Sequence, residues 1–248
     1  GLHGTGTFTL TNVGNSVTTL AGGASTSRLG SLSYVNAGAL AVGTVNPTGI
    51  TATGNVRIAT VTGDLTLAAA IDTLSATTSA VVLNAGSGED ISATVPAVGT
   101  DTGGNIIVSG SPTITMGTGG RATLYTGSIG NSTGLAETAA SAGNGLVTFG
   151  SGRFRYGSDE TTSRYSASLG PGVFGIYREQ PSLTVAPGTE TISYGASPTL
   201  AVSVTDAAAL ANGDTLQSAV SDNLAASVYD STNTTQVAAS DNGTDGFD

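Results

Sequence analysis

Between Thr5 and Phe149 the chain repeats one pattern, a short strand of alternating apolar and polar residues followed by a turn of Gly or Asn. Thr7-Phe8-Thr9-Leu10, Asn55-Val56-Arg57-Ile58, Asp64-Leu65-Thr66-Leu67, Ala80-Val81-Val82-Leu83, Asn105-Ile106-Ile107-Val108 and Ala122-Thr123-Leu124-Tyr125 are instances of it. A period of two sends Val56 and Ile58, or Leu65 and Leu67, to a buried face and Arg57 or Thr66 to the other. Gly54-Asn55, Gly63-Asp64, Gly103-Gly104-Asn105 and Gly119-Gly120-Arg121 set residues that tolerate positive φ immediately before a strand. No segment holds a convincing helical period for more than two turns, so an all-β fold is expected.

The starts at Asn55, Ala80 and Asn105 recur every 25 residues. Recurrence of this kind predicts a parallel β-helix, or β-solenoid, over residues 1–148. In such a stack no coil buries its own apolar face; small residues form narrow ladders and Gly turns the corners. A β-sandwich of hairpins also gives short, closely spaced strands. Scarce Asn-Gly and Asp-Gly dipeptides and the lack of large aromatics in this region favour the solenoid.

Composition narrows the chemistry. Of 248 residues 38% are hydrophobic but only 5% aromatic, so the core has to be aliphatic. There is no Cys and no Trp, and all seven cations are Arg. This excludes thiol catalysis, lysine Schiff bases, lysine-dependent phosphate loops, disulfides and cysteine-ligated metals. The single His, His3, reads as an ordinary exposed terminal residue and leaves no second His for a triad or metal cluster. The net charge is -10, and no basic cluster exists beyond Arg153 and Arg155, so no nucleic-acid partner is expected. No apolar run approaches the roughly 18 residues of a membrane span. Gly1 is not an initiator Met and no signal peptide precedes it, which predicts a processed piece of a longer protein. The absent cysteines suit a bacterial exported protein.

Residues 149–180 have a different texture. Six of the twelve aromatics and four of the seven Arg lie here. Arg153, Phe154, Arg155 and Tyr156 form a candidate ligand or self-association surface, of a kind that binds glycans or stacks on bases. The competing and favoured reading is a cap: rings cover the last coil, and Arg pairs with Asp159, Glu160 or Glu179. Residues 181–248 read as a small antiparallel β module, probed by Ser182–Val185, Thr191–Gly195 and Thr199–Val204 and cut short at its end. From Glu190 onward this tail has eight acids and no cation.

Few constellations carry chemistry. Asp241-Asn242-Gly243-Thr244-Asp245-Gly246 approximates a calcium loop, making Asp241 and Asp245 candidate calcium ligands and calcium the one cofactor considered. Gly86-Ser87-Gly88-Glu89-Asp90 and Asp101-Thr102-Gly103-Gly104-Asn105 read as solvated turns, since their Gly and Asp do not recur. Asp159, Glu160 and Arg153 are the candidates for a β-helical polysaccharide-degrading enzyme, although neighbouring strand residues face opposite ways. Asn131, Asn233 and Asn242 begin glycosylation sequons.

Gly152-Arg153-Phe154-Arg155-Tyr156-Gly157-Ser158, Gly172-Val173-Phe174-Gly175-Ile176-Tyr177 and Thr191-Ile192-Ser193-Tyr194-Gly195-Ala196-Ser197-Pro198-Thr199-Leu200, with Gly54-Asn55-Val56 and Gly63-Asp64-Leu65 upstream, resemble large bacterial exoproteins of the filamentous-haemagglutinin type. The resemblance implies a β-helical shaft, an aromatic junction and repeated small β modules. The usual acid after Tyr-Gly is replaced by Ala196 here. The expected function is that of a secreted, non-enzymatic structural or adhesive protein at the bacterial surface or outside the cell. Its expected partners are other copies of itself, head to tail in a homopolymer, or surface glycans and proteins. An inert spacer is the bland alternative.

Overall fold

The computed structural model describes residues 1–137, 145–181, 184–187, 202–205, 212, 226–229 and 236–240. Almost all regular structure in them is β-strand. The longest sheet takes its strands from β1 (Thr7–Leu10), β3 (Ser31–Asn36), β6 (Val56–Thr60), β9 (Val81–Asn84), β12 (Arg121–Thr126), β15 (Phe154–Arg155) and β16 (Gly172–Tyr177). Its spatial order is β1-β3-β6-β9-β12-β16-β15. A second sheet contains β2 (Thr19–Leu20), β4 (Leu40–Val42), β7 (Leu65–Leu67) and β10 (Ile106–Val108), and a third contains β5 (Ile50–Ala52), β8 (Ile71–Thr73) and β11 (Ile114–Thr115). Every pairing in these three sheets is parallel, as is that of β13 (Ala136–Glu137) with β14 (Val147–Thr148), a further two-stranded sheet.

Register turns the alternation into ladders. Leu32, Val56, Val81 and Ala122 stand side by side across the long sheet, and Tyr34, Ile58, Leu83 and Leu124 form the next row. Leu40, Leu65 and Ile106 line the second sheet, and Ile50, Ile71 and Ile114 the third. Apart from the partly buried Ile114, all of these are buried and belong to one core. Each enclosed Leu or Ile removes enough apolar surface to contribute about 2 kcal/mol, which lets an aliphatic chain build a core almost without rings.

Glycine acts here in two ways. Gly63, at φ 75°, turns the chain into β7 through a conformation that other residues resist. Gly104 instead lies over the Gly63 carbonyl so closely that a Cβ would collide with it.

The expectation of a β-solenoid followed by one antiparallel module is corrected by this architecture. The three sheets are parallel but separate and unequal, with seven, four and three strands, and no closed solenoid is formed. The even period breaks at residues 85–105. Val56 pairs with Val81, 25 positions on, but Val81 pairs with Ala122, 41 positions on. Asn105 therefore does not begin a third equivalent strand: β10, which follows it, enters the four-stranded sheet, whereas β9 lies in the long one. The order of the long sheet also reverses at its far edge, where β15 lies outside β16 although it comes first in the chain.

Residues 149–180 thus supply two strands of the long sheet. Among the described residues beyond them are two antiparallel pairs, β17 (Thr184–Pro187) with β18 (Val202–Thr205) and β19 (Ala226–Tyr229) with β20 (Gln236–Ser240). The expected strand at Thr191–Gly195 lies outside the described residues.

Candidate functional site

Alternation along β15 splits the Arg-aromatic motif between two surroundings. Phe154 is buried and Tyr156 half-buried, and both lie against buried Tyr177, with ring centroids 5.9 and 5.6 Å away; Tyr156 is stacked on Tyr177 at 10°. Gly175, paired with Phe154, provides the space, because a Cβ there would sit 2.8 Å from the Phe154 ring. The two arginines lie against other rings. Arg153 places its guanidinium 5.0 Å from the Phe174 centroid and donates from Nη1 to the Pro171 carbonyl at 2.8 Å. Arg155 lies 5.8 Å from the Tyr165 ring and donates to the carbonyls of Gly152 and Phe154. The four residues are thus brought together but are packed against their own chain.

Asp159 and Glu160 diverge. Asp159 Oδ1 accepts from the Thr161 amide and hydroxyl, at 2.7 and 2.8 Å, and from the Thr162 amide, closing its own turn. Glu160 crosses to the long sheet, accepting from Arg57 Nε at 2.9 Å, Arg57 Nη2 at 2.8 Å and Asn84 Nδ2 at 2.7 Å. Burial pushes the Glu160 carboxyl up, but the hydrogen bonds from Arg57 and Asn84 outweigh it and hold the group below the usual range. Such a carboxylate stays ionised at neutral pH and is a poor general acid. Tyr125, on the neighbouring strand β12, has its phenol pushed up to about 12, chiefly by burial and then by Tyr165 and Glu160. Arg121 Nη1 donates to the Leu169 carbonyl, and Arg164 Nη2 to the carbonyls of Ile91 and Ser92. Residues 156–171 are consequently tied both to the long sheet and to the 85–105 insertion.

The densest charge cluster was not expected from sequence. Arg178, buried at the end of β16, donates from Nε to Asp101 Oδ2 at 3.0 Å, with side chains 1% and 3% exposed. Nη1 donates to the Ala85 carbonyl and Nη2 to the Gly104 carbonyl, each at 2.7 Å, and Nη2 also reaches Asp101 Oδ1 at 3.3 Å. A Cβ on Gly103 or Gly127 would fall 2.7 or 2.6 Å from Arg178 Nη2, so these glycines vacate the space that the guanidinium fills. Beside it Glu179, fully buried, accepts from the amides of Gly99, Asp101 and Ile129 at 2.8, 3.1 and 2.8 Å. Asp101 is therefore not in a solvated turn. The acidic partners expected for the junction arginines are also rearranged: the ion pairs among the described residues are Arg28–Asp72, Arg57–Glu160 and Arg178–Asp101. An Arg-Glu dipeptide closing an apolar strand was the available signal, but it does not name a partner 77 residues away.

Asp241 and Asp245, with Asn233 and Asn242, lie outside the described residues. Among the described residues no cluster of three or more His, Cys, Asp or Glu is arranged to hold a metal ion. Asn131 is exposed, whereas Ser132 of the same sequon is buried and bonded through Oγ to the Ser128 carbonyl. No helix in the described part is long and apolar enough to cross a membrane. Comparison of the chain with family models, with curated proteins and with solved structures finds no match.

Proposed function

We propose that this chain is a non-catalytic structural and adhesive protein of the bacterial exterior, a segment of a surface adhesin or extracellular filament. The observation that carries this reading is the use made of the buried charges. Arg178, Asp101 and Glu179, and separately the half-buried pair of Glu160 with Arg57, fasten one stretch of the chain to another. Catalytic sites instead keep titratable groups poised toward a cleft where a substrate can reach them. Long ladders of small aliphatic residues and a surface rich in Thr and Ser suit a chain whose task is to persist and present hydroxyls to a neighbour. The resemblance to filamentous-haemagglutinin-type exoproteins points in the same direction.

A specific fact weighs against the polysaccharide-degrading alternative. Glu160 is engaged by three donors, and Asp159 is folded into its own turn. The test is to expose immobilised chain to a panel of glycans and cell-surface preparations, scoring retention and new reducing ends together. Retention without cleavage supports the reading. Cleavage overturns it, and neither retention nor cleavage reduces the chain to a spacer.

A further inference from the structure

The geometry points to a binding site for a carboxylated polysaccharide on Arg153 and Arg155, the two arginines that flank Phe154. This rests on the adhesive reading and names the class of ligand for it. Arg28, Arg57 and Arg178 form the ion pairs among the described residues, with Asp72, Glu160 and Asp101. Arg121, Arg153, Arg155 and Arg164 hold backbone carbonyls instead. Two of these four are turned to the protein itself. Arg121 has its Nε buried, and Arg164 Nη2 is shared between the carbonyls of Ile91 and Ser92.

Arg153 and Arg155 are arranged differently. They stand two positions apart in extended chain, about 6.6 Å along it, and both guanidiniums lie toward Phe174, 5.0 and 6.0 Å from its ring centroid. Phe154, between them, and Tyr156 turn the other way, against Tyr177. Each guanidinium is fixed at one corner, Arg153 Nη1 by the Pro171 carbonyl and Arg155 Nη1 by the carbonyls of Gly152 and Phe154. The opposite edge, Nε with Nη2, makes no hydrogen bond to a described residue, and both side chains belong to half-buried residues that solvent still reaches. That edge carries the two parallel N–H groups that match the two oxygens of a carboxylate. A ring on one side and a carbonyl at the corner hold it in place before a ligand arrives, which removes side-chain ordering that binding otherwise costs.

Two such forks in series fit carboxylates in series, as along a polymer of uronic acid units. Charge confines the polymer to this place. The chain has net charge -10, so an acidic polymer is repelled except where cations lack acidic partners. Asp159 and Glu160, the acids closest in sequence, are engaged elsewhere, Asp159 Oδ1 in its own turn and Glu160 with Arg57 and Asn84. An acidic peptide also carries carboxylates, but in the eight-acid tail of this chain no two acids stand two positions apart, the spacing of the two arginines.

The test passes the purified chain over immobilised polygalacturonate, its methyl-esterified form and polyglutamate across a salt series. It is repeated with the double variant Arg153→Gln/Arg155→Gln, with Arg153→Lys/Arg155→Lys, which keeps the charge and removes the forks, and with Arg164→Gln, which removes one exposed charge elsewhere. Unchanged circular dichroism verifies folding, and the comparison of acid with ester needs no variant at all. The expected result is retention on polygalacturonate that weakens with salt and is lost on esterification. It falls at least about tenfold in the Gln pair, by less in the Lys pair, and not at all in Arg164→Gln. Equal retention of acid and ester overturns the site, as does retention that survives the Gln pair, a Lys pair as tight as the parent, or an equal loss with Arg164→Gln. Polyglutamate held as firmly as polygalacturonate makes the ligand an acidic peptide and overturns the polysaccharide. Retention of neutral glycans without polygalacturonate overturns this site and leaves the adhesive reading standing.

Discussion

Arg178 and Asp101, 77 residues apart in the chain, meet at 3.0 Å in the protein interior, with neither side chain more than 3% exposed. A paired buried charge gains little over an apolar pair, but removing one partner strands the other in a medium that cannot solvate it. The contact therefore works as a fastener between the end of β16 and the 85–105 insertion.

Asp101→Asn and Arg178→Met are each expected to lower stability by about 3–5 kcal/mol in urea denaturation. Replacing both, as Asp101→Asn with Arg178→Met, is expected to cost less than the two single losses added together. A double variant as unstable as that sum removes the charge pair from this role.

Glu160 gives the stability a pH dependence of known sign. Its folded carboxyl titrates below its ordinary value of about 4.3, so its contribution is fully present above that pH and is lost as pH falls through the lower folded value. Glu160→Gln is expected to be less stable than the parent at neutral pH, with the gap closing in acid. Parallel stability curves for the two proteins down to low pH would contradict the Arg57 and Asn84 contacts.

Gly175 and Phe154 form a size-matched pair. Gly175→Ala forces a methyl against the Phe154 ring and is expected to cost about 1–3 kcal/mol. Phe154→Leu in the same chain is expected to recover part of that loss, which thermal denaturation of the single and double variants measures.

The strands were legible because alternation is a local signal. Val56 and Ile58 are buried with Arg57 between them half-buried, and Leu65 and Leu67 flank half-buried Thr66 in the same way, as a period of two demands. Sheet membership was not legible. Asn105 has the same local sequence features as Asn55, and only the extra chain between β9 and β10 sends the following strand elsewhere. The fasteners were hidden for another reason: Glu160 meets Arg57 103 residues away, and no spacing rule encodes such a contact. The Arg153–Tyr156 cluster was visible as composition, but its division between Phe174 or Tyr165 and Tyr177 follows from the placement of β15 beside β16.

Tyr125, with its phenol pushed up to about 12, is expected to be among the last tyrosines to ionise in an alkaline spectrophotometric titration. Tyr125→Phe should remove that late step and leave the earlier ones. Loss of an early step instead would place Tyr125 in solvent.

The central claim is that the charged groups hold the fold together and leave its surface to binding. The most direct measurement incubates the chain and its Glu160→Gln variant with a panel of acidic and neutral polysaccharides and follows product formation and retention in one assay. Retention by both proteins with no product from either is the predicted result. Product formation by the parent that disappears in Glu160→Gln would contradict it.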